Sequence, residues 1–135
     1  MTSNSDAAPP SKALLWTGRA LSGLVVLFLL LDASMKLLDL PVVGESMAKL
    51  GWPTSLDRLI GLIEAACLIL YAVPRTSVLG AVAMTGLLGG AIASHLRMGD
   101  PLVSHVLFGV YVGLMAWGGL YLRDDRLRAV FPLRR

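Results

Sequence analysis

The sequence predicts an all-α fold: a four-transmembrane-helix bundle with a short interfacial helix between helices 1 and 2. Three observations lead there. The 135 residues are 56% hydrophobic and only 16% charged, whereas a soluble domain carries about 25% charged residues. Mean hydropathy is +0.71. The charges also fall between long apolar stretches rather than within them, and four stretches reach the roughly 17–25 residues a crossing helix needs. Lipid is therefore the expected solvent. The domain occupies residues 12–123, behind a polar, Pro-containing lead at 1–11 that is expected to be disordered, and ahead of a basic tail at 124–135.

The first span runs from about Leu14 to Leu38. Trp16 marks its boundary, and Arg19 lies close enough to the end to reach back to the headgroups. Three further spans follow and no Ala-x-Ala-like cleavage site stands behind the apolar core, so the segment reads as an anchor. Asp39-Leu-Pro41 ends it. The stretch 42–53, VVGESMAKLGWP, is too short and polar to cross. Val43, Met47 and Leu50 share one helical face and Glu45 and Lys49 another, which predicts an interfacial helix stopped by Gly51. Thr54 and Asp57 have capping-box spacing at the start of the second span, Leu56 to Val73. Thr76 or Ser77 caps the third, Val78 to Leu96. Asp100-Pro101 opens the fourth, Leu102 to Leu122, as N-cap and first-turn proline. Gly86 and Gly90 on span three, and Gly109 and Gly113 on span four, are four apart and predict close helix packing.

With four crossings both termini share a side. That side holds Lys12, Arg19, Arg75, Arg123, Arg126, Arg128, Arg134 and Arg135, against Lys36, Lys49, Arg58 and Arg97 on the other. The positive-inside bias places both termini in the cytoplasm of a bacterial-type inner membrane. The net charge of +3 sits largely in this basic side, which suits lipid headgroups and not nucleic acid. Cys67 is the single cysteine and lies within a span. An internal disulfide, a C-x-x-C couple and an Fe–S site are thereby excluded.

The chemistry-bearing residues gather at the other end of the bundle. Asp32 lies about 9 Å below the outer end of span one, and Glu64 about 13 Å down span two, at 1.5 Å per residue. A carboxylate facing lipid costs about 2.5–3.5 kcal/mol at a helix centre, so interior pairing is expected. Lys36 follows Asp32 at i+4, the favourable order. Glu64 is surrounded by apolar residues in GLIEAACLILYAV, which makes it a candidate site residue. His95 and Arg97 end span three, and His105 lies early in span four. The two histidines leave bis-histidine haem ligation geometrically open. Hydrogen bonding to Glu64, Asp100 or the loop is the favoured reading, and no metal site is expected, since a structural zinc needs about four ligands. The ligand-binding set is thus Asp32, Lys36, Glu64, His95, Arg97 and His105. Tyr111 is expected to satisfy its hydroxyl within the bundle.

LLLDASMKLLDLPVV, LGWP, PRTSVLGA, GGAIASHLR and the LRAVFP tail resemble the small four-span DoxX-like membrane family, a similarity that covers nearly all of residues 13–133. The resemblance implies an inner-membrane four-helix bundle linked to quinone-coupled oxidation of sulfur compounds or to oxidative-stress complexes; distant relatives act as assembly chaperones. It carries over Asp32, Lys36, Glu64, Arg75, His95 and Arg97 as site positions without a settled catalytic residue. The resulting expectation is a non-catalytic accessory subunit of a quinone-linked oxidoreductase, binding quinone or a similar amphiphile in an outer polar pocket. Its partners would be the lipid bilayer, a membrane or periplasmic redox protein, and further copies of itself. The alternative is a chaperone-like protein that assembles or stabilises a membrane partner.

Overall fold

The computed structural model describes residues 11–131. The expected disordered lead, apart from Ser11, and the last residues of the basic tail, 132–135, lie outside the described residues.

Helix α1 runs Lys12–Leu37, opened by Ser11, whose Oγ accepts from the Leu14 N–H at 3.3 Å. No proline interrupts its apolar sequence. Gly18, Ser22, Val25, Leu29 and Ala33 form its buried stripe, three or four residues apart as a helical face requires. Leu24, Leu27, Phe28, Leu30 and Leu31 face outward, as a lipid-facing surface would. The helix stops at Leu37, ahead of a left-handed Asp39 with φ 56°. Pro41 then serves as the first residue of α2, Pro41–Lys49, where its missing N–H costs nothing. Val43 and Met47 of α2 are buried, Glu45 and Lys49 exposed, and Gly51 (φ 75°) ends the turn that follows it.

The expected capping box at Thr54 does not form. Thr54–Leu56 wind into a 3-10 turn without a side-chain cap, and α3, Asp57–Ala72, begins beneath it. Asp57 is 1% exposed, and neither carboxylate oxygen has a hydrogen-bond partner among the described residues. Its place in the first turn lets the helix N-terminus offset part of that charge. The hydroxyls expected to cap α4, Ser77–Met98, turn backward instead. Thr76 Oγ1 donates to the Leu70 carbonyl at 2.8 Å and Ser77 Oγ to that of Val73 at 2.9 Å. The Thr76 hydroxyl thereby satisfies the Leu70 carbonyl, which Pro74, having no N–H, leaves free.

Gly99, φ 72°, closes α4 in the left-handed conformation. Leu102–Val106 then form a π-helical turn with Pro101, not Asp100, at the capping position, and α5 follows over Phe108–Arg123. Asp124 caps a last short helix, α6, Asp125–Val130, by accepting from the Arg126 and Leu127 N–H groups.

The fold among the described residues is all-α. Three stretches are long and apolar enough to cross a membrane: α1, α4 and Leu102–Arg123. Helix α3 has 16 residues, about 24 Å, and falls short because the 3-10 turn takes its first residues. The packing is a ring, α1 against α3, α3 against α4, α4 against α5 and α5 against α1. Val25, Leu29, Leu68, Tyr71, Met84 and Leu120 fill its centre.

Backbones approach closest where α4 meets α3, at Gly80 and Tyr71, and closely again where α1 meets α5. A Cβ on Gly119 would sit 2.9 Å from the Gly18 carbonyl oxygen, so both positions require glycine. Of the glycines singled out by spacing, Gly109 lies against Ile92 and Gly113 near Leu88, while Gly86 and Gly90 face open space. An open small-residue face on α4 is what a docking helix would use, and no helix among the described residues packs on it.

Candidate functional site

Lys36 is the centre of the polar cluster. It stands one turn beyond Asp32 on α1 and donates to that carboxylate and, at 2.7 Å, to Glu64 Oε2 of α3. The side chains of Lys36 and Glu64 are 15% and 3% exposed, and that of Asp32 40%. Two helices thus share one ammonium between two carboxylates, with Asp32 as the open flank. Gly61 makes the approach possible. A Cβ there would lie 2.9 Å from Lys36 Cβ and 3.3 Å from the Ala33 carbonyl oxygen, so any larger residue one turn above Glu64 would push α1 away.

The Glu64 carboxylate is only half used. Oε2 accepts from Lys36, whereas Oε1 is buried without a partner among the described residues. Lys36 carries three N–H donors, and its bonds to Asp32 and Glu64 occupy two of them. One acceptor and one donor therefore stand side by side with their valence unfilled, in surroundings where an unmade hydrogen bond costs about 1–3 kcal/mol.

The other predicted residues make a second group at the same end. His95 Nδ1 and Asp100 Oδ2 are 2.6 Å apart. The αL turn at Gly99 accounts for this: it folds the chain so that the Asp100 N–H reaches the His95 carbonyl at 3.1 Å and brings the side chain with it. The His105 ring lies edge-on to His95 at 5.7 Å, and its Nδ1 bonds Ser104 Oγ. Arg97 donates to the Leu50 carbonyl, and Trp52 Nε1 to Ser94 Oγ, so both tie the loop after α2 to α4. Among the described residues no hydrogen bond joins this group to Asp32, Lys36 or Glu64. Nor do three His, Cys, Asp or Glu side chains among them converge as a metal site would. Tyr111 donates its hydroxyl to the Val103 carbonyl, and Cys67 is buried. Arg75 lies at the opposite end, lining a cleft of about 550 Å³ with Pro74, Asp124 and Arg126.

That opposite end holds a polar chain without a counterpart in the sequence reading. Arg123 Nε donates to Ser22 Oγ at 3.1 Å, Ser22 and the Tyr71 hydroxyl are 2.9 Å apart, and Tyr71 donates to the Ala116 carbonyl at 2.7 Å. Since Tyr71 spends its proton on Ala116, Ser22 donates to Tyr71 and accepts from Arg123. Its members come from α1, α3 and α5, so no local spacing announces them.

These features define a small polytopic helical membrane protein with a charge-paired cluster between two apolar helices. The model of the DoxX-like family matches residues 20–119, well over half the chain, and this protein belongs to that family. No curated protein and no solved structure matches it. The matched segment contains Asp32, Lys36, Glu64, His95, Arg97 and His105, and stops short of Arg19 and Arg123 on either side.

Proposed function

We propose that this protein is an accessory membrane subunit that binds the head of a quinone or similar amphiphile at Asp32, Lys36 and Glu64. One observation carries the reading: a buried acceptor, Glu64 Oε1, lies unpartnered among the described residues, beside an ammonium with a donor to spare. A quinone carbonyl accepts from Lys36; the hydroxyl of the corresponding quinol donates to Glu64. With both acids ionised the cluster carries one net negative charge, so a single proton neutralises it, and that suits a ligand that exchanges protons. The partly exposed Asp32 leaves a lateral way in, and the outward-facing Leu31 and Phe28 offer an apolar wall for the tail. His95, Arg97 and His105 are the polar rim in this proposal. The protein crosses the inner membrane four times with both termini cytoplasmic, α2 lies at the outer interface, and the subunit serves a membrane or periplasmic redox partner.

The test uses the full chain in nanodiscs titrated with a short-chain ubiquinone analogue, followed by melting temperature. The wild type should be stabilised, and Glu64→Gln should weaken binding about tenfold, the weight of one charged hydrogen bond, while the apo protein keeps its fold. No stabilisation by quinone and no quinone carried through purification would sink the reading. The competing role, assembly of a membrane partner, predicts the reverse: Glu64→Gln silent, Gly90→Leu or Gly113→Leu losing the partner.

A further inference from the structure

At the end of the bundle where α1 begins and α5 ends, a cleft of about 240 Å³ opens between α1, α3 and α5. Arg19, Ser22, Gly23, Val26, Tyr71 and Arg123 line it, with Ala72 at the edge. Its charge is one-sided: two guanidinium groups and no carboxylate. Neither arginine has an ion-pair partner among the described residues. Arg123 is held in place, its Nε on Ser22 and its Cζ 5.5 Å from the centre of the Tyr71 ring. The two terminal nitrogens of its fork make no hydrogen bond among the described residues. Arg19 packs over the Trp16 ring at 5.1 Å, at the end of α1 where a span meets the headgroup layer.

The rest of the cleft is apolar and leads away from the arginines. From Arg19 to Val26 is seven residues of helix, about 10 Å toward the bundle centre. Gly23 forms the floor, and a Cβ there would touch nothing within 4 Å. A cationic mouth at headgroup depth beside an open, largely apolar groove has the polarity of a phospholipid. Guanidinium forks suit phosphate oxygens in particular, since paired N–H donors match them in geometry as well as charge.

We propose that this cleft binds one anionic phospholipid, with its phosphate between Arg19 and Arg123 and an acyl chain along Gly23 and Val26. The site is separate from the cluster at Lys36 and Glu64 and does not depend on what that cluster binds. Arg123 is both a ligand and a strut, through its chain to Ser22, Tyr71 and Ala116; Arg19 and Gly23 have no such structural duty.

Native mass spectrometry of the full chain, released from detergent with added phosphatidylglycerol or phosphatidylcholine, tests this. The wild type should retain one phosphatidylglycerol in preference to phosphatidylcholine. Arg19→Gln, by losing a charged donor, and Gly23→Leu, by filling the floor, should each lower retention about tenfold with a melting temperature no lower than that of the wild type. Millimolar inorganic phosphate should leave the retained lipid in place. Equal retention of the two lipids, wild-type retention by both variants, or displacement by inorganic phosphate would each overturn the proposal, the last by making the cleft a free-anion site. The lipid comparison and the phosphate competition use only wild-type protein, so they decide the matter even if a variant folds poorly.

Discussion

Lys36 serves two carboxylates, and that stoichiometry predicts an unequal response to mutation. Glu64→Gln leaves a neutral Asp32–Lys36 pair and an amide that still accepts from Lys36, so the loss should be about 1 kcal/mol. Lys36→Met leaves Asp32 and Glu64 facing each other without a cation. Removing one partner of a buried ion pair costs about 3–5 kcal/mol, and here two like charges are left behind. Unfolding in mixed micelles should therefore rank Lys36→Met well below Glu64→Gln. Equal stabilities would mean that the ammonium is not what holds the acids. The grouping of these residues was visible in the sequence because each part had its own signal: i,i+4 spacing for Asp32 and Lys36, apolar flanks for Glu64. Asp100 had a competing signal. Its position before Pro101 reads as a cap, yet the left-handed turn at Gly99 returns its carboxylate to His95, and backbone handedness after a helix is not written in the spacing of charges. Asp57 misled similarly, since T-x-x-D describes a cap only if the helix begins at the threonine.

Among the helices, glycine identity was legible and glycine facing was not. Four-residue spacing marks Gly86 and Gly90 as readily as Gly109 and Gly113, but only the second pair has a neighbouring helix against it. The contacts that bring backbones together use Gly18, Gly61, Gly80 and Gly119, none of them in the glycine pairs that spacing singles out. Packing decides facing, and packing depends on how four helices close into a ring. Two alanine substitutions should separate these classes. Gly61→Ala places a methyl 2.9 Å from Lys36 Cβ; overpacking of this kind costs about 1–3 kcal/mol, and it should weaken the Lys36–Glu64 pair as well. Gly86→Ala meets nothing, so removing a flexible residue from a helix interior should stabilise by about 0.5–1 kcal/mol. Opposite shifts in melting temperature are expected. A destabilised Gly86→Ala would show that this face is covered in the native membrane assembly.

For the molecule as a whole, topology turns on α3. Its 16 residues give about 24 Å, and the 3-10 turn Thr54–Leu56 adds about 6 Å at 2 Å per residue. Together they match the roughly 30 Å of a hydrocarbon core. Its partners agree. α3 meets α1 at Lys36 through Glu64 and again at Ser22 through Tyr71, and those α1 positions lie 14 residues apart, about 21 Å of helix. On this reading α3 is expected to cross alongside α1. Four crossings also gather most of the basic residues on the side of the termini, whereas an α3 that stayed at one surface would put Arg75 on the same side as Lys49 and divide them. Single cysteines decide between these arrangements: Cys67 is buried and is replaced by alanine, and cysteine is introduced in turn at Lys49, Arg75, Gly99 and Arg126. In intact spheroplasts a membrane-impermeant maleimide should label the Lys49 and Gly99 variants at once, and those at Arg75 and Arg126 only after permeabilisation. Joint labelling of Lys49 and Arg75 would leave α3 as a surface helix, and the charged cluster at Glu64 would then lie at an aqueous boundary instead of inside the membrane.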